Sequence, residues 1–177
     1  MTLSEQTLTQ IEQEEKGEEE NFMLSLNALS GTTNEECMAV RALLQNQVML
    51  VLVDSGSSTS FISKQLVDRM GLPVHPCSSA KVRVANGEIM YSDTMVRSLE
   101  WWANGHTYQC DMRVLGLGAY DAILGYDWLR RHSPMHCDWD DKVISFVDKG
   151  VEVQLVGNTI HQQVVEEDLQ VEKGLRG

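Results

Sequence analysis

The segment VLVDSGSST, residues 51–59, decides how this chain of 177 residues is interpreted. It ends an apolar run that begins at Val48, and the run leads directly to the carboxylate of Asp54 in a Ser-Gly turn. A short apolar run of this kind predicts a buried strand, which places Asp54 at the mouth of that strand. A carboxylate in such surroundings costs free energy unless it is neutralised or used in chemistry.

Peptide hydrolysis is one use for such a carboxylate. In that chemistry one carboxylate is ionised and activates water, while a second is protonated and polarises the carbonyl group. The chain contains a single segment of this type. Either a second copy comes from another chain and forms a symmetric two-fold site, or Asp-Ser-Gly is an ordinary turn.

Length and charge limit the other functions that the chain can have. With 177 residues, 42% of them hydrophobic, it can form one domain with a core, but it is too short for two lobes that each supply a carboxylate. The net charge of -12 disfavours direct binding to nucleic acid or to an anionic membrane, because both need clustered Lys and Arg. The sequence has neither an apolar stretch of the roughly 18 residues that span a bilayer nor a signal peptide. We therefore expect an intracellular, cytoplasmic protein without membrane contact.

Acidic residues are concentrated at the two ends. Residues 1–20 contain seven Glu and one Lys, and residues 158–177 contain four acidic and two basic residues. Charge repulsion favours disorder in the first segment. The sequence thus predicts an acidic disordered arm or linker over residues 1–21, a folded domain over residues 22–157, and a flexible tail or linker over residues 158–177.

Two Asn-Gly dipeptides between strand-like runs predict β-hairpins, since both residues of a type I′ turn need positive φ. In the first hairpin, at residues 86–87, a two-residue turn pairs Val84 with Ile89 and Val82 with Tyr91 on one face.

The second hairpin turns at residues 104–105. One of its faces is apolar and is expected in the core; it carries Leu99, Trp101, Tyr108 and Cys110.

The other predicted elements are short. Strands are expected over residues 38–44, 48–53, 112–115 and 122–124, and hairpins over the CDW, KVISFV and VEVQLV segments. Ser63 is a candidate cap for a short helix that extends to Met70, Gly71 can end it, and residues 127–132 form one or two more helical turns. The predicted strands are many and short, the two helices are brief, and strands and helices do not alternate as in βαβ units. This pattern favours a small β-barrel.

The cysteines and histidines give little support to other kinds of site. The cysteines lack C-x-x-C spacing, so reduced and mostly buried thiols are expected at Cys37, Cys77, Cys110 and Cys137. Pro134 interrupts the helix that would bring His132 and His136 together on a metal. The GSSTS segment lacks the second Gly of a serine-hydrolase elbow. We expect no metal and no cofactor.

Four segments in a fixed order resemble one protein family: VLVDSGSSTSFIS, VRVANGEIMYSD, VLGLGAYDAILGYDWL and CDWDDKVISF. Together they resemble the protease of gypsy-type long-terminal-repeat retrotransposon polyproteins, particularly those of plants, over roughly residues 22–157. The resemblance implies a retropepsin fold, which is an all-β acid-protease barrel with one or two short helices, completed as a homodimer. It also implies an aspartic endopeptidase, so the expected partners are a second copy of the chain and a polypeptide substrate, the polyprotein.

The resemblance assigns roles to the residues of the DSG segment. Asp54 matches the catalytic aspartate, Ser55 the hydroxyl residue that hydrogen-bonds across the dimer, and Gly56 the glycine of close approach. Ser55 stands where many retroviral enzymes have Thr, and a Ser hydroxyl can make the same bond. Ser57 falls where related enzymes support the carboxylate with a hydroxyl, although a turn Ser bonded to its own backbone is an equal alternative.

The hairpin over residues 82–91 matches the flap that closes over substrate, with Ala85, Asn86 and Gly87 at its tip. A flap excludes water and hydrogen-bonds an extended peptide as an added strand. The alternative is a surface hairpin that never moves. Ile123 matches a wall of the substrate pocket, and Gly125 matches a structural glycine near the site.

The sequence therefore predicts an aspartic endopeptidase in which two Asp54 carboxylates, one from each chain, hold a water and share a proton. In a retroelement polyprotein such an enzyme would work in the cytoplasm or inside virus-like particles. Two alternatives stay open. One is a catalytically silent module of a domesticated element that kept the fold for dimerisation or peptide binding, and the other is a cellular protease that cuts host proteins.

Overall fold

The computed structural model describes residues 20–25, 28 and 37–158. Most of the predicted acidic arm and nearly all of the predicted tail lie outside these residues, so their disorder stays a prediction. The first described strand begins at Glu20, and the backbone N–H of Asn158 donates to the Ala39 carbonyl at 2.7 Å. The described fold thus reaches slightly beyond the predicted domain at both ends.

The described residues form β-strands and two short α-helices. The strands are β1 (Glu20–Leu24), β2 (Met38–Leu44), β3 (Gln47–Val53), β4 (Phe61–Ser63), β5 (His75–Val84), β6 (Ile89–Ala103), β7 (His106–Leu115), β8 (Ala122–Leu124), β9 (His136–Asp138), β10 (Val143–Asp148) and β11 (Val151–Val156). The helices are α1 (Lys64–Met70) and α2 (Tyr126–Arg131). Neither helix is long and apolar enough to cross a membrane.

Six of the strands close into a barrel. Their order is β6-β2-β3-β8-β4-β7, and β7 pairs again with β6. β5 pairs antiparallel with the first half of β6, and β1 pairs parallel with β5, so these two strands extend the sheet beyond the barrel. The prediction of an all-β barrel with two short helices is confirmed.

A separate three-stranded sheet, in the order β11-β10-β9, is joined to the barrel by polar contacts. The N–H of Val156 donates to Asn104 Oδ1 at 3.0 Å, in the turn between β6 and β7. Asp148 at the end of β10 lies 2.7 Å from His106 Nε2 and 3.3 Å from His132 Nε2. His132 is therefore paired with Asp148 and not with His136.

Two hydrophobic clusters form the core of the described residues. The larger one joins the barrel to α1, α2 and the three-stranded sheet, and in it Trp101 stacks on Tyr108 with ring centroids 4.4 Å apart. The smaller one lies around the DSG segment and contains Leu24 of β1, Leu52 of β3 and Ile123 of β8. This second cluster is the one that positions the candidate site.

The hairpin between β5 and β6 has a different turn from the predicted one. Of residues 86 and 87, Gly87 alone has positive φ, at 93°, and its N–H donates to the Val84 carbonyl at 2.9 Å. The Val84 N–H donates to the carbonyl of residue 88 at 2.9 Å, which is typical of a type I turn followed by a G1 bulge. The extra residue pairs Val82 with Met90, so the predicted register is wrong by one residue. Val82 and Val84 are buried together, and Tyr91 is exposed on the opposite face.

The hairpin between β6 and β7 has the predicted type I′ turn. Asn104 has φ 49° and Gly105 has φ 86°, and the pairs Trp101 with Tyr108 and Leu99 with Cys110 share a buried face. The predicted apolar face is therefore confirmed.

Helix α1 follows Ser63 and ends at Gly71, whose φ is 63°, as predicted. The Ser63 hydroxyl does not cap the helix, because it donates to Gln65 Oε1 at 2.7 Å. All four cysteines lie in the described residues and none of them forms a disulfide; Cys37 and Cys110 are buried as expected, Cys77 is partly buried and Cys137 is exposed.

Candidate active site

Asp54 lies at the mouth of a buried strand, as predicted. Val53 is the last residue of β3 and pairs with Leu124 of the parallel strand β8. The Asp54 N–H donates to the Leu124 carbonyl at 2.9 Å, so the pairing with β8 continues into the turn. Asp54 itself is half-buried. Its backbone is thus held by the barrel, while its side chain reaches the surface of the chain.

Three donors surround the Asp54 carboxylate. The Gly56 N–H donates to Oδ1 at 2.9 Å, and the Ser57 hydroxyl donates to Oδ2 at 3.0 Å. The Ser25 hydroxyl also donates to Oδ2. Ser57 is fully buried, so its side chain is fixed in this position, and its role as the support of a catalytic carboxylate stays a prediction. Together these donors fix the direction of the carboxylate.

Gly56 leaves room for the carboxylate. A Cβ atom on Gly56 would lie 3.1 Å from Asp54 Oδ1 and 3.3 Å from Ser25 Cβ, tighter than most contacts in proteins. This geometry agrees with the close-approach role expected of Gly56. Ser55 is exposed beside Asp54, and its hydrogen bond to a second chain stays a prediction.

Gly125 fixes the start of α2 against the loop after Asp54. The Gly125 N–H donates to Ser60 Oγ at 3.1 Å, and the next N–H, of Tyr126, donates to the Ser57 carbonyl at 2.7 Å. A Cβ atom on Gly125 would lie 2.2 Å from the Thr59 carbonyl oxygen, where no side chain fits. The geometry agrees with the structural role expected of this glycine.

Asp127 is a supporting residue that the sequence analysis missed. Its carboxylate accepts from Thr59 Oγ1 at 3.1 Å and from Ser60 Oγ at 2.8 Å, which ties α2 to the loop from its first turn. The available signal was the order of the motifs, because the GYDWL segment follows the apolar AIL strand directly. Both oxygens of Asp127 accept bonds from the loop, so this carboxylate ties α2 to the loop that carries Asp54.

The predicted hairpin tip is exposed and the predicted pocket residue is buried. Ala85, Asn86 and Gly87 are exposed at the turn, and the Ala85 N–H donates to the Leu24 carbonyl at 3.2 Å. Ile123 is fully buried and packs in the smaller cluster, so its side chain lines the interior beneath the hairpin. Movement of the hairpin over a substrate is a prediction.

Tyr120 is a second residue that the sequence analysis did not single out. It lies in the smaller cluster, and burial raises the pKa of its hydroxyl, with further contributions from Cys37 and Asp54. A phenol at its ordinary pKa of about 10 is already protonated at neutral and acidic pH, so the shift does not change the charge of the site there.

Two of the cavities on the surface of the described residues are relevant to the site. One of about 290 Å³ is bounded by Asp54 and Ser55 on one side and by Met135, Cys137 and Trp139 on the other. The other, of about 680 Å³, lies along β9–β11 and is lined by neither Asp54 nor the hairpin. We assign the site to the smaller of these two cavities, because the supported carboxylate of Asp54 lines it. Over the described residues, no group of three or more His, Cys, Asp or Glu side chains could hold a metal ion.

A family model matches the part of the chain that contains the site. The model described as the PEG10/RTL1 protease domain matches residues 50–155. The match begins in β3, just before Asp54, and ends in β11, so it includes the hairpin, β8 and α2. A comparison with curated proteins found no match.

Among solved structures, the fold is similar to the crystal structure of the retroviral protease-like domain of Ddi1 from Leishmania major. The two sequences are 18% identical, the TM-score is 0.51, and the match covers 71% of this chain and 96% of that chain. At this identity the similarity establishes the fold alone. Together with the family match, it confirms the retropepsin-like fold that the sequence resemblance implied.

Proposed function

Because the chain belongs to the PEG10/RTL1 protease domain family, we propose that it is an aspartic-type endopeptidase in which Asp54 supplies half of the catalytic pair. The observation that carries the proposal is the complete support of one carboxylate, with Gly56 bonded to Oδ1 and Ser57 bonded to Oδ2. The Gly56 bond alone is typical of an Asx turn, so the further bonds from the buried Ser57 hydroxyl and from Ser25 are what distinguish this carboxylate. The direct test is cleavage of a random peptide pool by the purified protein.

The proposed mechanism needs two chains. One chain supplies one Asp54, so a homodimer would bring two Asp54 side chains around a single water. One carboxylate then takes a proton from the water while the other donates a proton to the carbonyl oxygen of the scissile peptide. The fixed donors at Asp54 hold the base in its reactive position.

The proposed substrate is a polyprotein of a gypsy-type retroelement. Support comes from the order of the DSG, hairpin, AILG and DWL motifs along the chain. The narrower assignment to plant elements, the cytoplasmic location and the absence of nucleic-acid and membrane partners stay predictions.

The second candidate function is a catalytically silent module that binds peptides or dimerises. It is favoured by the family match, since a retropepsin-like fold can persist without catalysis. The intact support of Asp54 favours the enzyme. The peptide-pool experiment separates the two, because a silent module cleaves nothing at any protein concentration.

Activity is expected to depend on dimer formation. Below the dimer dissociation constant, the cleavage rate should rise with the square of the chain concentration, because each active site needs two chains. Sedimentation on the same samples gives the dimer fraction. An excess of Asp54→Asn chains added to wild-type protein should lower the rate, whereas an excess of an unrelated protein should not. A fully active monomer, insensitive to added Asp54→Asn chains, would contradict the two-chain mechanism.

Gly87→Val is expected to impair cleavage more than folding. Gly87 has φ 93°, which Val does not readily adopt, and no atom lies near its would-be Cβ, so the change distorts the turn without a steric clash. We expect a stability loss of about 1 to 2 kcal/mol and a fall in peptide cleavage of about tenfold or more. Urea unfolding and steady-state kinetics measure the two effects.

The matched control is Gly150→Val. Gly150 is also a hairpin glycine, with φ 78° and open space at its Cβ, but it lies in the turn between β10 and β11. The Gly150→Val protein should lose about as much stability as Gly87→Val, but it should cleave peptides at nearly the wild-type rate. Equal losses of cleavage in both variants would show that the hairpin between β5 and β6 is structural and is not a flap.

A further inference from the structure

The first described strand lies between the hairpin and the active-site loop. β1 pairs parallel with β5, from Glu20 opposite Ala80 to Leu24 opposite Val84. Beyond the last pair, the Leu24 carbonyl accepts from the Ala85 N–H at 3.2 Å. β1 therefore follows the edge of β5 that β6 leaves free, up to the tip of the hairpin.

The opposite side of β1 is bonded to the loop that carries Asp54. The Met23 N–H donates to Ser58 Oγ at 2.8 Å, and the Ser58 N–H donates to the Met23 carbonyl at 3.0 Å. Two residues after Met23, the Ser25 N–H donates to Ser57 Oγ at 3.3 Å, and the Ser25 hydroxyl donates to Asp54. An extended segment held through its backbone in this way has the geometry of a peptide ligand added to a sheet edge.

β1 lies in a groove between the β5–β6 hairpin and the loop of residues 54–58, and neighbouring side chains of β1 differ in their exposure there. Leu24 is 1% exposed and packs with Val82, Tyr120 and Ile123, while the neighbouring Met23 is 50% exposed. The pocket expected for a substrate side chain is thus filled by Leu24, immediately before the residue that touches Asp54. A pocket of this composition selects large aliphatic side chains.

The N-terminal end of β1 is held by an ion pair between Glu20 and Arg113. The guanidinium of Arg113 donates to Glu20 and to the carbonyls of Ser78, at 3.0 Å, and Ser92, at 3.3 Å. Arg113 is 8% exposed, and a buried cation needs an anionic partner to offset the loss of hydration. Glu20 lies four residues before Leu24, so the groove recognises an acid at one end and an aliphatic residue at the other.

We propose that residues 20–25 occupy the peptide-substrate groove of this chain and compete there with substrate, an inference that rests on the proposed function. The segment also defines the peptide class that the groove takes. Such a peptide is extended, with a large aliphatic residue in the pocket of Ile123 and an acidic residue four positions earlier, opposite Arg113. A tethered segment has an effective concentration of about 1 mM, so it can exclude free peptides that bind much more weakly.

The test measures binding in full-length protein that carries Asp54→Asn, so that no cleavage interferes. The probe is a fluorescent peptide with the sequence of residues 18–28, EEENFMLSLNA. Adding Leu24→Asp should release β1 and raise the affinity for the probe by about tenfold or more, because the tethered competitor is lost. The matched control is Met23→Asp, the same chemical change on the exposed neighbour, which should leave the affinity within about twofold.

Hydrogen exchange separates release of β1 from damage to the core. In the Leu24→Asp protein, the amides of Ser58 and Ala85 should lose protection, while that of Tyr108 in the barrel should keep it. A second variant, Glu20→Lys, leaves the Leu24 pocket intact and should raise probe affinity about threefold by repelling Arg113. The proposal is overturned by unchanged affinity in both variants, or by an equal gain in the Met23→Asp control.

This experiment is independent of catalysis. If Leu24→Asp raises the affinity for the probe, but neither the wild-type protein nor a Leu24→Asp protein that keeps Asp54 cleaves any peptide, the proposed proteolysis fails and the groove assignment stands. If the protein is an active protease and neither Leu24→Asp nor Glu20→Lys changes the affinity for the probe, the groove assignment is wrong and the proposed proteolysis is unaffected.

Discussion

Asp54→Asn is expected to lower peptide cleavage by about a hundredfold or more, because it removes the group that takes up and releases the proton. The Asn side chain has nearly the same shape, and its oxygen can still accept from Gly56 or Ser57. Fold and dimer should therefore be largely retained. The measurements are steady-state cleavage, thermal unfolding and sedimentation on the same preparation.

The matched control for this variant is Asp68→Asn. Asp68 lies on α1 in an exposed ion pair with Lys64 at 3.1 Å, so the same chemical change there touches neither the carboxylate nor its donors. Its cleavage rate should stay within about twofold of wild type. Cleavage by the Asp54→Asn protein within tenfold of wild type would rule out the aspartic mechanism.

Gly125→Ala is expected to cause the largest loss of stability, about 3 kcal/mol. The new Cβ would lie 2.2 Å from the Thr59 carbonyl oxygen and 2.8 Å from the Ser57 carbonyl oxygen, and both are backbone atoms of the active-site loop. Backbone cannot move aside as a side-chain end can, so α2 and the loop must separate and lose their mutual hydrogen bonds. Urea unfolding at a fixed protein concentration measures the effect.

Gly116→Ala is the control for added volume. A Cβ atom there would meet the Met90 Cε atom alone, at 3.9 Å, which is ordinary contact with a flexible side-chain end. Its stability should change by less than about 1 kcal/mol. If Gly125→Ala is as mild as this control, the close approach between α2 and the loop does not contribute to the stability of the site.

Local sequence signals were sufficient for much of the fold and for the core of the site. The apolar run before Asp54 predicts β3, and the Asn104-Gly105 dipeptide predicts the turn from β6 to β7. Asp54, Gly56 and Ser57 lie close together because they are neighbours in one turn. Their arrangement follows from short-range geometry, which a sequence pattern captures well.

The hairpin register shows where a local signal is ambiguous. Asn-Gly suits a two-residue type I′ turn, but Gly in the left-handed region also suits the bulged three-residue loop that the structure has. The two loops differ by one residue, and a shift of one residue exchanges the faces of a strand. Burial of Val82 and Val84 against Leu24 is consistent with the bulged register, and that contact joins segments far apart in sequence.

The residues missed by sequence reasoning all act over long separations. Ser25 meets Asp54 from 29 positions away, and Asp127 meets Ser60 from 67 positions away. Ser and Asp in such segments look like ordinary turn and helix-start residues. The topology of the fold brings Ser25 and Asp127 to the site, and a local sequence pattern cannot predict such contacts between distant segments.

The hydrogen bonds within the DSG turn have a consequence for the kinetics of assembly. Gly56 and Ser57 orient Asp54 inside a single chain, so each half-site is organised when that chain folds. Association of two such chains would then be the docking of preformed surfaces, with little ordering of loops on encounter. The association rate should lie near the ordinary range of about 10⁵ to 10⁷ M⁻¹s⁻¹, and the lifetime of the dimer would be set by how fast it dissociates.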